Sequence, residues 1–191
     1  YSAFEGCTSL KSITIPNSVT EIRELAFEGC TSLESIVVAD GNPVYDSRGG
    51  CNAIIETTTN TLITGCKTTV IPESVTEIGY SAFYGCTPLK SIIIPEGTTR
   101  IGMYAFEGCT SLESITIPNS VTKIGWEAFR GCTSLESVVI PKGVRKIEER
   151  AFAGCTSLTT LTLPIGVNKI EEQVFDECSA LAAINVPAGK A

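Results

Sequence analysis

A 23-residue period is the feature of this sequence that most constrains its fold. Every phenylalanine keeps the period, with one wider interval after the second: Phe4, Phe27, Phe83, Phe106, Phe129, Phe152 and Phe175. Proline recurs at a second position of the repeat, with alanine in its place in one unit: Pro16, Ala39, Pro72, Pro95, Pro118, Pro141, Pro164 and Pro187. A fixed period in the 20s is typical of a solenoid, in which each coil buries its apolar face against its neighbours. The sequence therefore predicts about eight stacked coils, which we call rungs.

One rung, from Ser111 to Gly131, indicates the local structure. Apolar and polar residues alternate from Ser111 to Ile117, as in a strand with one buried face, and Pro118 ends the strand because it has no amide donor. Val121–Ile124 is a second extended piece. Ala128 and Phe129 begin a single helical or 3-10 turn, which Gly131 closes in the left-handed conformation. We expect a β-rich solenoid with a parallel concave sheet, short second strands and single turns.

Stacking the rungs in register places a phenylalanine ring at the centre of each and aligns two inward residues of each strand. We expect these inward pairs to form aliphatic ladders along the axis: Ile13/Ile15, Ile36/Val38, Thr69/Ile71, Ile92/Ile94, Ile115/Ile117, Val138/Ile140, Leu161/Leu163 and Ile184/Val186. Eight strands would then form one parallel sheet.

Composition limits the classes of protein and partner that remain. Apolar residues make up 43% and charged residues 18% of the 191, which is typical of a folded chain rather than a disordered one. The net charge of −7 disfavours nucleic acid and anionic lipid as partners. No apolar run approaches the roughly 20 residues that cross a bilayer, so we expect no membrane insertion. Because no polar linker interrupts the repeat, we expect one continuous solenoid over residues 1–191. Because the chain starts in the middle of a repeat, we expect it to belong to a larger protein.

The repeated motif Leu-x-x-Ile-x-Ile-Pro-x-x-Val-x-x-Ile-Gly-x-x-Ala-Phe-x-Gly-Cys resembles the BspA-like class of leucine-rich repeat, the 23-residue type. The resemblance implies a right-handed superhelix and a protein exposed on the cell surface or secreted. It also implies a role in adhesion, co-aggregation or binding of host matrix proteins.

A longer unit interrupts the period, because Ala39 and Pro72 are 33 residues apart. Its residues at about 40–71 resemble the variant unit of the same family, in which a hairpin replaces the Ala-Phe-x-Gly-Cys turn. Two β-rich pieces, Ala53–Glu56 and Thr61–Thr64, flank Thr57–Asn60, which suits a four-residue hairpin loop.

The nine cysteines favour a structural interpretation. Seven occupy one repeat position and should form an internal column of buried thiols: Cys7, Cys30, Cys86, Cys109, Cys132, Cys155 and Cys178. Disulfides are disfavoured because the total is odd and a column offers no unique pairing. A metal site is not expected, since zinc needs converging ligands and the chain has no histidine. Cys51 and Cys66 lie together in the variant unit, and a disulfide between them remains an alternative.

No pattern indicates catalysis or a cofactor. Without histidine there is no Ser-His or Cys-His pair, and no glycine-rich phosphate loop is present. Carboxylates such as Glu148 and Glu171 fall on the outer arc, where solvated charge is the ordinary expectation. Asp40 to Asp46 fits a turn better than a calcium loop, because the ligand spacing of an EF-hand is absent.

Two candidate binding surfaces follow from the repeat. Outward strand residues form a column that includes Val37, Val70, Ile93, Thr116 and Val139, in which Val37, Val70 and Ile93 make a small apolar strip. The alternative is that strands simply favour β-branched residues. A second set gathers aromatic residues and methionine beyond the Ile-Gly turn: Tyr80, Met103, Tyr104 and Trp126. Such residues are enriched in interface hot spots, although they would also pack against a neighbouring rung.

The sequence thus favours a non-catalytic adhesion or recognition module that presents a curved surface to a protein or glycan. The alternative is a structural spacer that holds another domain, catalytic or not, away from the cell surface.

Overall fold

The computed structural model describes residues 3–23 and 25–186, which form a β-solenoid of stacked rungs. A short 3-10 helix covers Arg48–Gly50. The strands are β1 (Ser12–Ile15), β2 (Ser35–Val38), β3 (Tyr45–Asp46), β4 (Ala53–Glu56), β5 (Thr61–Gly65), β6 (Glu77–Ile78), β7 (Ser91–Ile93), β8 (Arg100–Ile101), β9 (Ser114–Thr116), β10 (Lys123–Ile124), β11 (Ser137–Val139), β12 (Lys146–Ile147), β13 (Thr160–Thr162), β14 (Lys169–Ile170) and β15 (Ala183–Asn185).

Equivalent strands of successive rungs pair in parallel, as the period predicts. The first strand of each rung contributes to three parallel groups, β1-β2, β7-β9 and β11-β13-β15, with Ile92 opposite Ile115 and Leu161 opposite Ile184. The second strands pair as β10-β8-β6 and β12-β14. We call the outward side of β1, β2, β7, β9, β11, β13 and β15 the strand face.

The prediction of one sheet running through all eight rungs is wrong in two places: β9 and β11 belong to separate sheets, and the sheet is interrupted at the variant unit. No strand forms at Thr68–Val70. Pro95 follows Cys86 by nine positions, whereas Pro72 follows Cys66 by only six, so this rung is three residues short in the segment that elsewhere forms the strand. Thr69 and Ile71 nevertheless point inward and are buried, as expected.

The variant unit contains the predicted hairpin. β4 and β5 pair antiparallel around Thr57–Asn60, and β5 continues the sheet of second strands through β6. The Gly65 N–H donates to the Ala82 carbonyl at 2.9 Å, the same bond that the Phe106 N–H makes to Ala128 at 2.8 Å. Gly65 therefore occupies the backbone position that phenylalanine holds in the regular rungs.

The outer turns are hydrogen-bonded both within and between rungs. Within one turn the Cys109 N–H donates to the Phe106 carbonyl at 3.2 Å, and Gly108 has a φ of +70°, so glycine closes the turn in the left-handed region. Gly131, for which this conformation was predicted, also has a φ of +70°. The bond from Phe106 to Ala128 then links this turn to the next rung. In the described residues these segments remain single turns and no α-helix forms.

The core is a stack of phenylalanine rings flanked by aliphatic ladders. Phe106 and Phe129 have ring centroids 5.3 Å apart and planes within 2° of parallel, and Phe129 and Phe152 repeat this spacing. The rings are fully buried, which confirms the predicted place of phenylalanine at the centre of the rung. The predicted inward pair Ile184 and Val186 is exposed instead, because no described rung covers it. Pro187 lies outside the described residues.

The apolar interior consists of two clusters that meet at the variant unit. The smaller cluster contains Phe27, Ile36 and Ile54, whereas the larger contains Ile55 and Phe83 together with every later buried phenylalanine. Ile54 and Ile55 are adjacent on β4, and the pairing register with β5 shifts between them. The two faces of one strand therefore belong to different cores.

The predicted column of buried thiols is confirmed only at its centre. Cys109, Cys132 and Cys155 are buried and Cys30, Cys86 and Cys178 are partly buried, whereas Cys7, in the first described rung, is exposed, contrary to the prediction. The Cys109 and Cys132 thiols donate to the carbonyl oxygens of Phe83 and Phe106 at 3.1 and 3.2 Å, one rung back. Burial raises the pKa of Cys86 to about 12 and raises the pKa values of Cys109 and Cys132 well above the ordinary range. Cys51 and Cys66 are both free thiols, so the variant unit contains no bridge between them.

The phenylalanine stack predicts how strongly a single ring stabilises the solenoid. Phe129→Ala should lower the free energy of unfolding by about 3–5 kcal/mol, because it empties a buried site between two rings. Phe175→Ala, at a half-buried position near the end of the stack, should cost less. Urea unfolding followed by circular dichroism measures both, and equal losses would show that the central stack has no special role.

The thiol column predicts selective alkylation. In the native protein iodoacetamide should modify the exposed Cys7 first and leave Cys109, Cys132 and Cys155 intact, because these thiols are fully buried and their pKa values are raised. In denaturant all should react at similar rates. Peptide mass spectrometry reads each site, and rapid native labelling of Cys132 would contradict the buried column.

Candidate binding surfaces

The strand face exposes the apolar strip that the sequence predicts. Val37, Val70, Ile93 and Val139 are 44, 74, 76 and 66% exposed, and Thr116 is also exposed. Exposed serines at the start of the neighbouring strands, such as Ser91 and Ser114, lie beside them. The surface is thus a line of apolar side chains with a polar margin.

Backbone pairing fixes only part of this strip. Ile93 lies directly opposite Thr116 on β9, and Val37 lies opposite Thr14 on β1. Val70 has no strand partner of this kind, since its N–H donates to the Cys51 carbonyl at 3.1 Å within the variant unit. Strand pairing therefore fixes Ile93 beside Thr116, whereas hydrogen bonding within the variant unit fixes Val70.

Lys67 and Glu34, close in sequence to Val70 and Val37 of the strip, form an ion pair. Lys67 Nζ lies 2.7 Å from Glu34 Oε1, and the hydrogen bond from Lys67 lowers the pKa of the Glu34 carboxyl. The Thr68 hydroxyl donates to the Glu34 carbonyl at 2.6 Å. These contacts connect the variant unit to the rung of β2.

Three of the predicted aromatic and methionine residues form a half-buried cluster. The rings of Tyr80 and Tyr104 meet edge to face with centroids 5.3 Å apart, and those of Tyr104 and Trp126 meet at 5.1 Å. Met103, the residue before Tyr104, is 37% exposed. Burial, with a contribution from Tyr80, raises the pKa of the Tyr104 hydroxyl. The rings pack against one another across neighbouring rungs, as one alternative predicts, and part of their area faces solvent.

Sequence reasoning missed the backbone that positions this cluster. The residue before Ala-Phe, or before Val174 in the last described turn, has a φ between +52° and +61° in six rungs: Leu25, Ser81, Tyr104, Glu127, Arg150 and Gln173. Left-handed backbone is uncommon for residues other than glycine. The Tyr104 N–H donates to the Trp126 carbonyl at 3.0 Å, so bonding to the next rung maintains the conformation. These side chains differ so widely that no residue type marks the position.

A second feature that sequence reasoning missed is an ionic network on the outer turns. Arg130 Nη1 lies 2.8 Å from Glu107 Oε1 and 3.2 Å from Glu127 Oε2, while Arg150 Nη1 lies 3.6 Å from Glu127 Oε1. Both glutamates are buried. Burial and the nearby Glu127 raise the pKa of Glu107. The signal that could have found this pair is opposite charge one period apart, at Glu107 and Arg130.

Residues 3–23 and 25–186 contain no group of three or more His, Cys, Asp or Glu side chains placed to hold a metal ion. Over the same ranges, no helix has the length and apolar character that crossing a membrane requires.

The stacked rungs and the 23-residue period define a leucine-rich repeat solenoid. The family described as BspA type leucine rich repeat region matches residues 1–47 and 56–188, in six copies. The chain belongs to this family. No curated protein matches it.

Solved structures of leucine-rich repeat proteins share the fold. A leucine rich cell surface protein from Faecalibacterium prausnitzii is 32% identical with a TM-score of 0.82, over 95% of this chain and 49% of that one. A leucine-rich repeat protein from Bacteroides ovatus is 36% identical with a TM-score of 0.68, over 98 and 40%. The pneumococcal vaccine antigen PcpA is 25% identical with a TM-score of 0.78, over 93 and 45%. The chain thus spans about half the length of these proteins or less.

The raised pKa of Glu107 predicts a pH dependence. A carboxyl whose pKa is higher in the folded than in the unfolded state stabilises the fold below its unfolded pKa and loses that contribution as pH rises through the folded value. The free energy of unfolding of the wild type, relative to Glu107→Gln, should therefore fall as the pH rises above about 4.3, the ordinary pKa of glutamate. Urea titrations at several pH values test this, and a difference that rises with pH would show that pairing with Arg130 outweighs burial.

Proposed function

We propose that the chain is a non-catalytic binding module of a cell-surface or secreted protein and that the strand face contacts its partner. The observation that carries the proposal is the exposed column of Val37, Val70, Ile93, Thr116 and Val139, whose valine and isoleucine side chains form an apolar strip on an otherwise polar face. Exposed apolar groups rimmed by polar residues are typical of protein interaction sites. The likeness to a cell-surface protein from Faecalibacterium prausnitzii supports the location.

The rigidity of the backbone supports binding without rearrangement. Ile93 and Thr116 are fixed opposite each other by strand pairing, and the turns behind them are hydrogen-bonded from rung to rung. A surface that is already ordered loses little conformational entropy on association. Affinity therefore depends on the side chains of the strip rather than on a folding step.

The charge of the chain narrows the class of partner. A net charge of −7 opposes nucleic acid and anionic lipid, which leaves protein or glycan surfaces. Aliphatic side chains favour an apolar patch on a protein over a sugar, so extracellular-matrix proteins are the first partners to test. The aromatic cluster of Tyr80, Met103, Tyr104 and Trp126 is the second candidate surface, and it would suit an interface hot spot.

A structural spacer is the alternative function, in which the rungs separate another domain from the cell surface. It is favoured by the backbone hydrogen bonds that join successive regular rungs, because these make the solenoid stiff on either side of the variant unit. The spacer predicts that this chain has no saturable partner.

The binding test removes the apolar side chains of the strip by alanine substitution. Val37→Ala, Val70→Ala and Ile93→Ala together should weaken binding to an immobilised matrix protein, with fibronectin and laminin as probes, by at least tenfold. The loss should appear mainly in the dissociation rate, because these residues would lie within the interface. Surface plasmon resonance measures the rates, and a glycan array tests the sugar class in parallel.

Ile165→Ala with Ile170→Ala provides a matched control, because both isoleucines are exposed but lie off the strand face. The control should bind as the wild type does, and circular dichroism should show both variants folded. Equal affinity of the triple variant and the wild type would remove the strip as the site. Absence of binding to any protein or glycan probe would favour the spacer.

A further inference from the structure

Four cationic side chains follow one another along the second strands, at a single position of the repeat. They stand one period apart on β8, β10, β12 and β14: Arg100, Lys123, Lys146 and Lys169. Lys123 lies directly opposite Arg100 in the pairing of β10 with β8, and Lys146 lies opposite Lys169 in that of β12 with β14. We call these four residues the basic column. Because it follows the second strands, it is separate from the strand face.

The basic column points to solvent. The isoleucines that follow its first three members are fully buried, namely Ile101, Ile124 and Ile147. Neighbouring side chains of a strand point to opposite faces, so each cation before a buried isoleucine points outward. The side chains of Arg100 and Lys169 are 44 and 59% exposed.

Carboxylates neutralise the lower part of the column incompletely. Lys146 Nζ lies 2.6 Å from Glu148 Oε2 and 2.7 Å from Glu171 Oε1, and Lys169 Nζ shares the same Glu171 oxygen at 2.6 Å. Exposed ion pairs of this kind contribute little to stability because water screens them. An external anion can therefore compete for these ammonium groups.

The upper part of the column has fewer acidic partners. Arg100 Nε lies 3.4 Å from Glu77 Oε1. Neither Lys123 nor Arg145, the exposed residue just before β12, forms an ion pair with any carboxylate of residues 3–23 and 25–186. These two cations are thus available to a negatively charged ligand without the loss of an internal contact.

The negative charge of the chain is concentrated away from the column. Residues 91–170 contain eight lysines and arginines against seven aspartates and glutamates, although the whole chain has a net charge of −7. At physiological ionic strength the Debye length is about 8 Å, so charges near the column act on a ligand more strongly than the total does.

The shape of the column favours a linear polyanion. Neighbouring strands are about 4.8 Å apart, so the cations form a line along the axis of the solenoid rather than a plane. Binding of single-stranded nucleic acid relies on aromatic side chains that stack with the bases. Strands β8, β10, β12 and β14 contain no aromatic residue, and the nearby rings of Tyr104 and Trp126 pack edge to face on each other. A charged chain that needs no stacking fits this surface better.

We propose that the basic column, together with Arg145, binds a sulfated polysaccharide whose chain lies along the axis of the solenoid. Ammonium and guanidinium groups donate charge-assisted hydrogen bonds to the sulfate oxygens. This site is separate from the strand face, and it does not depend on the function proposed for that face.

Immobilised heparin is the probe, and surface plasmon resonance at several salt concentrations is the measurement. Lys123→Gln with Arg145→Gln should weaken binding about tenfold, because it removes the two cations that have no internal partner. Each neutralised charge of a linear polyanion contributes about 0.7–0.9 to the slope of log affinity against log salt, so this slope should fall by about 1.5. Heparin stripped of its sulfates, which keeps its carboxylates, should bind the wild type at least tenfold more weakly than heparin.

Lys11→Gln with Lys90→Gln is the matched control. It changes the net charge by the same amount, but its two exposed lysines precede β1 and β7 on the side of the strand face. The control should retain the affinity and the salt slope of the wild type, and circular dichroism should show both double variants folded.

Four results would overturn the proposal. No saturable binding of heparin would remove the site, and equal losses in the two double variants would show a diffuse attraction that the basic column does not direct. Equal binding of desulfated heparin would exclude recognition of sulfate. An oligothymidylate that binds as tightly as heparin would point to nucleic acid as the ligand.

Discussion

Backbone hydrogen bonding between successive rungs is the constraint on which the rest of the structure depends. It operates on the strand side, where Ile92 lies opposite Ile115, and also on the outer side, where Phe106 bonds to Ala128. Because the hydrogen-bonding groups of successive rungs must align on both sides, regular rungs keep one length and approach closely. A Cβ atom on Gly125 would lie 2.5 Å from the Met103 nitrogen, so this position admits only glycine. The 23-residue period is the consequence of that double match.

The same constraint divides the residues of a rung into those that pack and those that are free to vary. Inward positions keep phenylalanine, cysteine and aliphatic side chains because each contacts its equivalent one rung away, as Phe129 contacts Phe106. Outward positions such as Ile93 and Thr116 have no such contact and can differ between rungs. Specificity in a repeat protein of this kind therefore resides in outward columns, which is why the strand face and the aromatic cluster are the candidate sites.

The sequence predicted those features that recur and missed those that depend on one local exception. Burial of Phe129 and the hairpin loop at Thr57–Asn60 follow from spacing and turn chemistry, so both were predictable. The absence of a strand at Thr68–Val70 was not recognised, because the Ser/Thr/Val pattern there still resembles a strand although the segment is too short. The left-handed backbone at Tyr104 depends on the next rung, and no residue type signals it. The outward position of Val37, Ile93 and Val139 was predictable from the period of the strand, whereas the burial of Glu107 beside Arg130 requires coordinates.

The meeting of two cores at β4 has a mechanical consequence. Ile54 packs with the rungs before the variant unit and Ile55 with the rungs after it. Hydrogen bonds between the rung of β2 and the variant unit use side chains, as when the Val38 N–H donates to Ser47 Oγ and the Thr68 hydroxyl donates to the Glu34 carbonyl. A pulling force along the axis would concentrate at this junction, where hydrogen bonds can be broken without exposing the central phenylalanines. The irregular unit thus acts as the compliant joint of an otherwise stiff rod.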